Sequence, residues 1–349
     1  MTTLGGRLED SSSWFMIAEV GVNHENDLET AKLMIDQCAN AGANAVKFQT
    51  YKADLLAIKE SPAYWDTSKE PALNQHELFS RFDRFGPTEY AELARYAEQR
   101  SIEFMSTAFD LESLEAIDPL VNIHKVASAD LTNIPLLRAI AGKGKPVLLS
   151  TGASSFSEVE SALEELRSNG APEVTLLHCV LNYPTADELA HLHRVPELNA
   201  AFPDAGLGYS DHTVPDGECM AVIGAYALGA RVFEKHFTHD KQLPGNDHYH
   251  AMDQADLTHL ISRLQQMASM TKPSDESTFL EHQSAAIIHA RRSIVLSTAL
   301  SAGSVLSEDN LTTKRPGNGM SPTEWDRIIG RSINRDLPED HQLSEADLE

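Results

Sequence analysis

Short apolar runs alternate with amphipathic stretches between Trp14 and about Met270, and this alternation constrains the fold more than any other feature of the sequence. Strands separated by single helices pair in parallel through right-handed crossovers, and eight such units close into a (β/α)8 barrel. The predicted strands are Phe15–Val22, Ala45–Thr50, Glu103–Thr107, Asn122–Ala127, Pro146–Thr151, Val174–Cys179, Gly206–Ser210 and Arg231–Phe237. We therefore predict an α/β chain with a TIM barrel.

The helical patterns between these strands carry end signals. Asn26 or Asp27 can cap the first helix and Gly42 can end it, and a later helix is predicted after Ser157 with its stop at Gly170. A doubly wound open sheet is the alternative, but it usually has fewer units and a glycine-rich turn after its first strand. Here the first strand ends in Gly-Val-Asn-His, without a G-x-G-x-x-G pattern.

The 349-residue chain is longer than its predicted barrel, which occupies residues 1–271. Residues 272–289 begin with a Pro/Ser/Asp-rich break and are predicted to be a linker to a small domain at 290–349. That domain shows a short strand at Ser293–Leu296 and a turn at Ala302-Gly303. A domain of about sixty residues is near the lower limit for independent folding, so we expect this one to pack against another protein surface.

One connection, from Tyr51 to Gly86, is oversized and rich in aromatic residues. Long loops at the carboxyl end of a barrel often form lids or substrate walls. We expect Tyr64, Trp65 and Phe79 to help select the substrate, although a decorative insertion is the alternative interpretation.

The composition excludes several classes of function. A formal net charge of −24 argues against non-specific binding to nucleic acid or to an anionic membrane. The sequence has three widely spaced cysteines, Cys38, Cys179 and Cys219, and no Cys-x-x-Cys motif, which indicates reduced thiols. No run approaches the ~20 apolar residues of a membrane-spanning helix, and residues 1–13 are polar rather than signal-like. We expect a cytoplasmic protein.

The apolar strands end repeatedly in side chains that can do chemistry. In a barrel these ends converge on one mouth, where such folds place their active sites. A lone buried lysine or histidine is as often a paired core residue as a catalyst, but polar groups at most of the eight ends favour an active site. The candidates are Glu19, Asn23, His24, Lys47, Gln49, Ser106, Thr107, Asp110, Lys125, Ser128, Asp130, Ser150, Thr151, His178, Tyr183, Ser210, Asp211, His212, Glu234, Lys235 and His236.

Lys47 and Lys125, with hydroxyls from Ser128, Ser150 and Ser210, would place two cations and several donors around one mouth. Such a set suits a small ligand that carries both a carboxylate and a phosphate. In a chain this acidic, inward lysines need an anionic partner to offset their desolvation. A Schiff-base lysine, as in barrel aldolases, is the competing interpretation.

His212 and His236 end neighbouring predicted strands and could ligate one divalent ion together. Two imidazoles with open coordination positions suit a Lewis-acid metal that polarises a carbonyl. His248 and His250 are rival ligands, and Asp247 could bridge through water.

At these residues the sequence resembles the sialic acid synthase family, which includes the N-acetylneuraminate, legionaminate and pseudaminate synthases. The similar strings cover almost the whole predicted barrel in order. They are Ile17-Ala-Glu-Val-Gly-Val-Asn-His24, Ala45-Val-Lys-Phe-Gln-Thr50, Ser106-Thr-Ala-Phe-Asp110, Lys125-Val-Ala-Ser-Ala-Asp-Leu-Thr-Asn133, Leu149-Ser-Thr-Gly152, Leu177-His-Cys179, Asn182-Tyr-Pro-Thr185, Gly208-Tyr-Ser-Asp-His-Thr213, Glu234-Lys-His-Phe-Thr238 and Gly245-Asn-Asp-His248.

The tail resembles the antifreeze-like (SAF) domain that follows the barrel in this family. The similar strings are Arg291-Arg-Ser-Ile294, Leu306-Ser-Glu-Asp-Asn-Leu311 and Lys314-Arg-Pro-Gly-Asn-Gly319. The resemblance implies a homodimer with swapped SAF domains, in which each SAF domain packs over the partner's barrel. Arg315 matches the arginine that reaches the acetamido group of the sugar.

The resemblance also implies an activity. The chain would be a carbon–carbon bond-forming transferase that condenses phosphoenolpyruvate with N-acetylmannosamine or a 2,4-diacetamido-trideoxyhexose, releases phosphate and yields a nine-carbon 2-keto sugar acid. A Schiff-base aldolase of the same product class and a non-catalytic binding module built around the tail are the alternatives.

Roles for individual residues follow from the same resemblance. Phosphoenolpyruvate would be bound by Lys47, Thr107, Lys125, Ser128, Ser150 and Ser210. The metal, Mn2+ or alternatively Mg2+ or Co2+, would be held by His212 and His236. The sugar would contact Gln49, Tyr183 and Arg315, and the acidic groups of the catalytic set would be Glu19, Asp130 and Asp247.

Two positions depart from the family pattern. Many relatives have a glutamate at the position of Asp130. The aspartate side chain is one methylene shorter, so its carboxyl group extends less far. Leu181 stands where some members carry an Asn or Ser that faces phosphoenolpyruvate, and neighbouring Asn182 is a candidate to replace that contact.

Overall fold

The structure is a computed structural model that describes residues 4, 6–8, 10–65, 67–68, 70–245 and 247–349. The chain divides into two compact units, Met1–Lys272 and Pro273–Glu349. Parts of residues 1–13 and Asn246 of the Gly245-Asn-Asp-His248 string lie outside the described residues. Among the described residues, no helix is both long enough and apolar enough to span a bilayer.

The described part of the first unit contains eight parallel strands that close into a barrel in chain order. They are β1 (Phe15–Gly21), β2 (Ala45–Thr50), β3 (Glu103–Ala108), β4 (His124–Val126), β5 (Val147–Ser150), β6 (Val174–Cys179), β7 (Gly206–Asp211) and β8 (Val232–His236). Strand β1 pairs with both β2 and β8, so Glu19 stands opposite Lys47 on one side and His236 on the other. The predicted barrel is confirmed.

Helices connect the strands and bury their apolar faces against them. They are α1 (Leu28–Ala41), α2 (Ala53–Leu56), α3 (Gln75–Phe82), α4 (Pro87–Gln99), α5 (Leu111–Ile117), α6 (Ile134–Ala141), α7 (Phe156–Ser168), α8 (Arg194–Ala201), α9 (Met220–Ala227) and α10 (Gln254–Thr271). The side chain of Asp27 caps α1, and Gly42 ends it with a left-handed φ of 92°.

The predicted start of α7 after Ser157 was wrong. Ser155 caps this helix, because its hydroxyl accepts from the Glu158 backbone N–H while the Glu158 carboxylate accepts from the Ser155 N–H. A capping box needs a glutamate three residues after the cap, and both Ser155 and Ser157 meet that spacing, with Glu158 and Glu160; the structure forms the box at Ser155.

Inward-facing residues change from apolar to polar along each strand. The apolar layer at the amino ends is formed by Phe15, Ile17, Ala45, Met105, Ile123, Leu148, Leu177 and Val232. Two residues further along β1, β2 and β8 come Glu19, Lys47 and Glu234. Because strand side chains alternate with a period of two, these polar groups face the same interior as the apolar layer beneath them.

The second unit begins with α11 (Glu276–Glu281) and α12 (Ser284–Ala290), so the segment predicted as a linker contains helical residues. Strands β9 (Ser293–Leu296) and β10 (Leu311–Lys314) pair antiparallel, and a short helix follows as α13 (Trp325–Ile328). The predicted strand Ser293–Leu296 is confirmed. The unit has its own apolar core, formed by Ile294, Leu296, Leu306, Leu311, Met320, Ile328, Ile333, Leu337, Leu343 and Leu348.

Gly208 in β7 has no room for a side chain. A Cβ there would lie 2.6 Å from the Val232 carbonyl oxygen and 3.0 Å from Leu177 Cγ. We expect Gly208→Ala to lower the free energy of unfolding by about 1–3 kcal/mol, because β7 and β8 must shift apart, and urea denaturation followed by circular dichroism measures this loss. At Gly217 a Cβ meets nothing within 4 Å, so Gly217→Ala should not destabilise the protein. Equal losses in both variants would contradict the close approach.

Candidate active site

A cavity of about 340 Å³ opens at the carboxyl ends of the barrel strands. It is lined by thirteen of the fourteen residues to which the family resemblance assigned a role: Glu19, Lys47, Gln49, Thr107, Lys125, Ser128, Asp130, Ser150, Tyr183, Ser210, His212, His236 and Asp247. The exception is Arg315, which belongs to the second unit and is exposed there.

Lys47 lies at the floor of this cavity between two carboxylates. Its Nζ is 2.6 Å from Glu19 Oε2 and 3.5 Å from Glu234 Oε2, and it donates to Thr107 Oγ1 at 2.9 Å. Burial opposes charging of this ammonium group, but the two carboxylates hold the pKa of Lys47 above its ordinary value. Lys47 is therefore a fixed cation.

Lys125 is less well compensated. Its Nζ donates to Ser150 Oγ at 2.8 Å and to the Val126 carbonyl at 3.0 Å, while Glu234 Oε1 is 3.8 Å away. Burial lowers the pKa of Lys125 in spite of the nearby carboxylate. An anionic ligand at this end of the floor would stabilise its charged form.

Glu234 links the two lysines, a role that the sequence analysis did not assign. Burial alone would favour its neutral form, but Lys125 and Lys47 bring the pKa of Glu234 to about 2. Its Oε1 also accepts from Ser210 Oγ at 3.1 Å. The strand alternation contained the signal, since Glu234 lies between the inward positions of Val232 and His236.

Two further carboxyl groups retain protons more readily than usual. Burial raises the pKa of Glu19 to about 7, although Lys47 opposes the shift, and Gln49 Nε2 donates to Glu19 Oε1 at 2.9 Å. Burial also raises the pKa of Asp130. Asn133 Nδ2 donates to Asp130 Oδ1 at 3.1 Å, whereas buried Oδ2 has no hydrogen-bond partner among the described residues. Both groups are suited to proton transfer.

The rings of His212 and His236 lie together on the opposite side, with centroids 5.4 Å apart. His212 Nδ1 donates to the Val180 carbonyl at 2.8 Å, which leaves the lone pair on Nε2. Burial lowers the pKa of His236 to about 3, so its imidazole is neutral. Its buried Nδ1 has no hydrogen-bond partner in the described part of the chain.

This histidine pair fits a divalent ion. Each imidazole presents a lone pair in its neutral form, although Cys179 and the Val180 carbonyl raise the pKa of His212 in spite of burial, and Asp247 Oδ2 lies 3.9 Å from His236 Nδ1. No set of three or more His, Cys, Asp or Glu side chains arranged to hold an ion occurs in the described residues. The fit is therefore to two protein ligands, with further positions open to water or substrate oxygens.

The rival histidines have other contacts. His248 Nδ1 lies 2.7 Å from Thr238 Oγ1, and its Nε2 is 3.5 Å from Glu25 Oε1. His250 lies behind the cavity, with its ring centroid 5.2 Å from that of His236 and Nε2 3.3 Å from Asp247 Oδ1. His250 thus supports Asp247, while His248 points elsewhere.

Some predicted strand-end residues do not face the mouth. Lys235 and Asp211 form a buried ion pair at 2.6 Å beside α9 and α10, because they occupy the alternate positions to Glu234 and Ser210. His178 Nε2 donates to the Ala190 carbonyl at 2.8 Å. The expectation that every polar strand end joins one mouth was wrong for these residues.

The departure at Leu181 is not offset by its neighbour. Leu181 lines the cavity, whereas Asn182 lines an adjacent hollow with Arg194 and Ser154. Replacement of the polar contact by Asn182 is therefore not supported.

The oversized connection forms one wall of the cavity. Tyr51, Tyr64, Trp65 and Phe79 line it, as predicted for the last three. Buried Glu70 organises this segment: its carbonyl accepts from Trp65 Nε1 at 3.1 Å, and its carboxylate accepts from Arg81 at 2.7 Å and from the Ala72 N–H at 3.0 Å.

Known proteins resemble this chain over most of its length. The sequence profile of the NeuB family matches residues 34–275, and that of the SAF domain matches residues 291–349. An N,N'-diacetyllegionaminic acid synthase from Campylobacter jejuni is 35% identical over 95% of this chain and 98% of that protein. The N-acetylneuraminate-9-phosphate synthase of Homo sapiens is 30% identical over 95% of this chain and 91% of that protein.

Solved structures show the same similarity. The crystal structure of an N-acetylneuraminic acid (sialic acid) synthetase from Leptospira borgpetersenii in complex with citrate has a TM-score of 0.67 and 31% identity to this chain. The match covers 79% of this chain and 93% of that one.

Because Glu234 lies close to both Lys47 and Lys125, its replacement tests the charge network. We expect Glu234→Gln to lower the free energy of unfolding by about 3–5 kcal/mol, because it leaves Lys125 buried without its carboxylate partner. Urea denaturation measures the change. The control is Glu115→Gln, which breaks a surface pair with Lys143 where the Glu115 side chain is 70% exposed, and it should have no measurable effect. An unchanged stability in Glu234→Gln would refute the network.

Proposed function

The chain belongs to the NeuB family, and on that premise we propose that it condenses phosphoenolpyruvate with an N-acylated amino sugar to form a nine-carbon 2-keto sugar acid. The observation that carries this proposal is one cavity in which two buried lysines, joined by Glu234, face the pair His212 and His236. A small dianionic substrate and a carbonyl substrate can be held there side by side.

Phosphoenolpyruvate fits the floor of the cavity. Lys47 and Lys125 supply two cations for its carboxylate and phosphate, and Thr107, Ser150 and Ser210 supply hydroxyls already bonded to the charged network. Ser128 completes the proposed set, with its Oγ held by the Gly152 N–H at 2.9 Å. The bound anion would supply negative charge next to Lys125, whose ammonium group has no carboxylate closer than Glu234 at 3.8 Å.

We propose that His212 and His236 hold a divalent metal ion, Mn2+ in the first place. When bound, such an ion supplies Lewis acidity toward the aldehyde oxygen of the open-chain sugar. The Val180 carbonyl orients His212, and Asp247 lies beside His236. Tyr183, whose ring is 4.3 Å from that of His212, and Gln49 are the proposed sugar contacts on this side.

The bond changes follow from this arrangement. C3 of phosphoenolpyruvate attacks the aldehyde carbon, and the developing positive charge at C2 is quenched by water. Asp130 or Glu19 takes the proton of that water, since each has a raised pKa and lines the cavity. The tetrahedral intermediate then expels phosphate by carbon–oxygen cleavage and leaves the 2-keto group.

The second unit completes the proposed enzyme. We propose a homodimer with swapped SAF domains in which Arg315 of one chain reaches the acylamido group of the sugar bound by the other. Arg315 is exposed at the end of β10, and a charged, planar donor at such a position is free to bind an amide oxygen.

A Schiff-base aldolase is the second candidate, because burial lowers the pKa of Lys125 and so favours a nucleophilic amine. The two functions differ in their covalent chemistry. An aldolase would form a borohydride-reducible adduct with pyruvate and would not release phosphate.

The proposed reaction predicts that phosphoenolpyruvate is consumed only when an N-acylated amino sugar is also present. Loss of its ultraviolet absorbance with Mn2+ and with N-acetylmannosamine or a 2,4-diacetamido-trideoxyhexose measures this. The same protein treated with pyruvate and borohydride should show no mass increase. Consumption without any sugar would indicate a phosphatase, and a reduced adduct on Lys125 would indicate the aldolase.

The metal proposal predicts that EDTA abolishes turnover and that His236→Ala binds Mn2+ more weakly than the wild-type protein. Titration followed by electron paramagnetic resonance measures binding directly, and loss of one of two imidazole ligands should weaken it about 10-fold or more. His193→Ala, at an exposed position, is the control and should bind Mn2+ normally. Unchanged Mn2+ affinity in His236→Ala would remove the ligand assignment.

A further inference from the structure

The backbone ladder between β7 and β8 ends just before the histidine pair. Its last pair joins Asp211 to Lys235. His212 follows β7 by one residue, and His236 is the last residue of β8. The pairing of these two strands therefore stops one residue short of the proposed metal ligands. Other contacts must hold the two imidazole rings at their centroid distance of 5.4 Å.

Side chains continue the link between the strands where the ladder stops. Lys235 Nζ donates to the Thr213 carbonyl at 2.5 Å and to Asp211 Oδ2 at 2.6 Å. Asp211 Oδ1 accepts from the Thr213 N–H at 2.9 Å, and Asp211 Oδ2 accepts from Thr213 Oγ1 at 3.1 Å. His212 therefore lies between two residues that are bonded to each other and to β8.

These contacts are shielded from water and turned away from the cavity. Asp211, Thr213 and Lys235 are only 2, 3 and 4% exposed, and they line a small hollow beside α9 and α10. Hydrogen bonds between charged groups gain strength in such a low-dielectric interior. None of the three residues lines the cavity that contains the histidine pair, so they can affect a ligand there only through the histidines.

The His236 ring depends on its backbone for its position. His212 Nδ1 bonds to the Val180 carbonyl, whereas His236 Nδ1 has no hydrogen-bond partner among the described residues. Strand β8 pairs with β1 as far as His236, which fixes β8 on one side. On the other side, Lys235 supplies the last connection to β7. A shift of that connection would change the distance between the two imidazoles.

We propose that Asp211, Thr213 and Lys235 form a clamp that positions His212 against His236 for a divalent ion. The inference rests on the proposed metal site and deepens it, because it assigns positioning residues that line no part of the cavity. Two imidazoles share one ion only while their lone pairs converge on the same point. Replacing groups that orient metal ligands typically lowers metal affinity about 10- to 100-fold.

The test is a double variant, Asp211→Asn/Lys235→Met, which removes both charges and nearly preserves side-chain size. Because neither charge is left buried without its partner, this variant should fold, and circular dichroism checks that it does. Its Mn2+ affinity, measured by titration followed by electron paramagnetic resonance, should fall about 10-fold or more. At saturating Mn2+ the KM for phosphoenolpyruvate should stay as in wild type, because Lys47 and Lys125 keep their contacts.

The matched control is Asp118→Asn/Lys145→Met, which makes the same two substitutions at another ion pair. Asp118 Oδ1 and Lys145 Nζ lie 2.8 Å apart, and neither residue lines the cavity. Removing this pair should leave the Mn2+ affinity as in wild type.

A milder variant, Thr213→Val, tests the clamp without changing either charge. It removes only the hydroxyl that donates to Asp211, so Mn2+ affinity should fall roughly twofold or more, the effect of one hydrogen bond. If the double variant does not fold, Thr213→Val decides the question. Wild-type Mn2+ affinity in Thr213→Val would then overturn the clamp, and weaker binding would support it.

The outcomes separate this inference from the proposed function. Wild-type Mn2+ affinity in a folded double variant overturns the clamp and leaves the metal site intact. Equal losses of affinity in the double variant and in its control also overturn the clamp, because the loss of any ion pair would then have the same effect. If the wild-type protein binds no Mn2+, the metal site is overturned and the clamp falls with it.

Discussion

The site depends on how two ammonium groups are kept charged inside a closed barrel. Moving an ammonium ion from water into the protein interior costs several kcal/mol, so Lys47 and Lys125 require carboxylate partners. Glu234 serves both, and Glu19 serves Lys47. The compensation is incomplete at Lys125, whose pKa is lowered by burial. This residual cost favours an anion at the floor, so the network that keeps the two lysines charged also prepares the cavity for an anionic ligand.

Strand alternation determines which side chains share that floor. Each inward position lies two residues from the next, so the apolar layer of Ile17, Ala45 and Val232 is followed by Glu19, Lys47 and Glu234. The alternate positions face the surrounding helices instead of the cavity. The buried pair of Asp211 and Lys235 joins β7 to β8 directly beside the two histidines, which fixes the register that brings their rings together.

Much of this arrangement follows from the sequence because it repeats a simple period. The strands and the barrel were predicted from alternation, and the family from its motifs. Of the fourteen site residues that the family resemblance implied, thirteen line the one cavity. The contacts between charged side chains were harder to predict than the strands. Alternation implies that Lys235 and Glu234, as neighbours in one strand, face opposite sides, but it does not show that Lys235 pairs with Asp211 or that Glu234 lies between Lys47 and Lys125. The sequence also did not show which serine caps α7, because Ser155 and Ser157 are each followed three residues later by a glutamate.

The aromatic residues of the cavity wall belong to a different part of the chain from the charged residues of the floor. Floor residues are held by the hydrogen bonds of the barrel itself, so replacing one of them disturbs a shared charge network. The wall comes from a connection between β2 and α4 that is organised internally by Glu70 and Arg81, and the residues of this connection that the structure describes in the lining are uncharged. Its side chains can therefore change without breaking the network below. The cavity therefore combines a floor whose charged residues depend on one another with a wall whose residues belong to a separate, internally bonded connection.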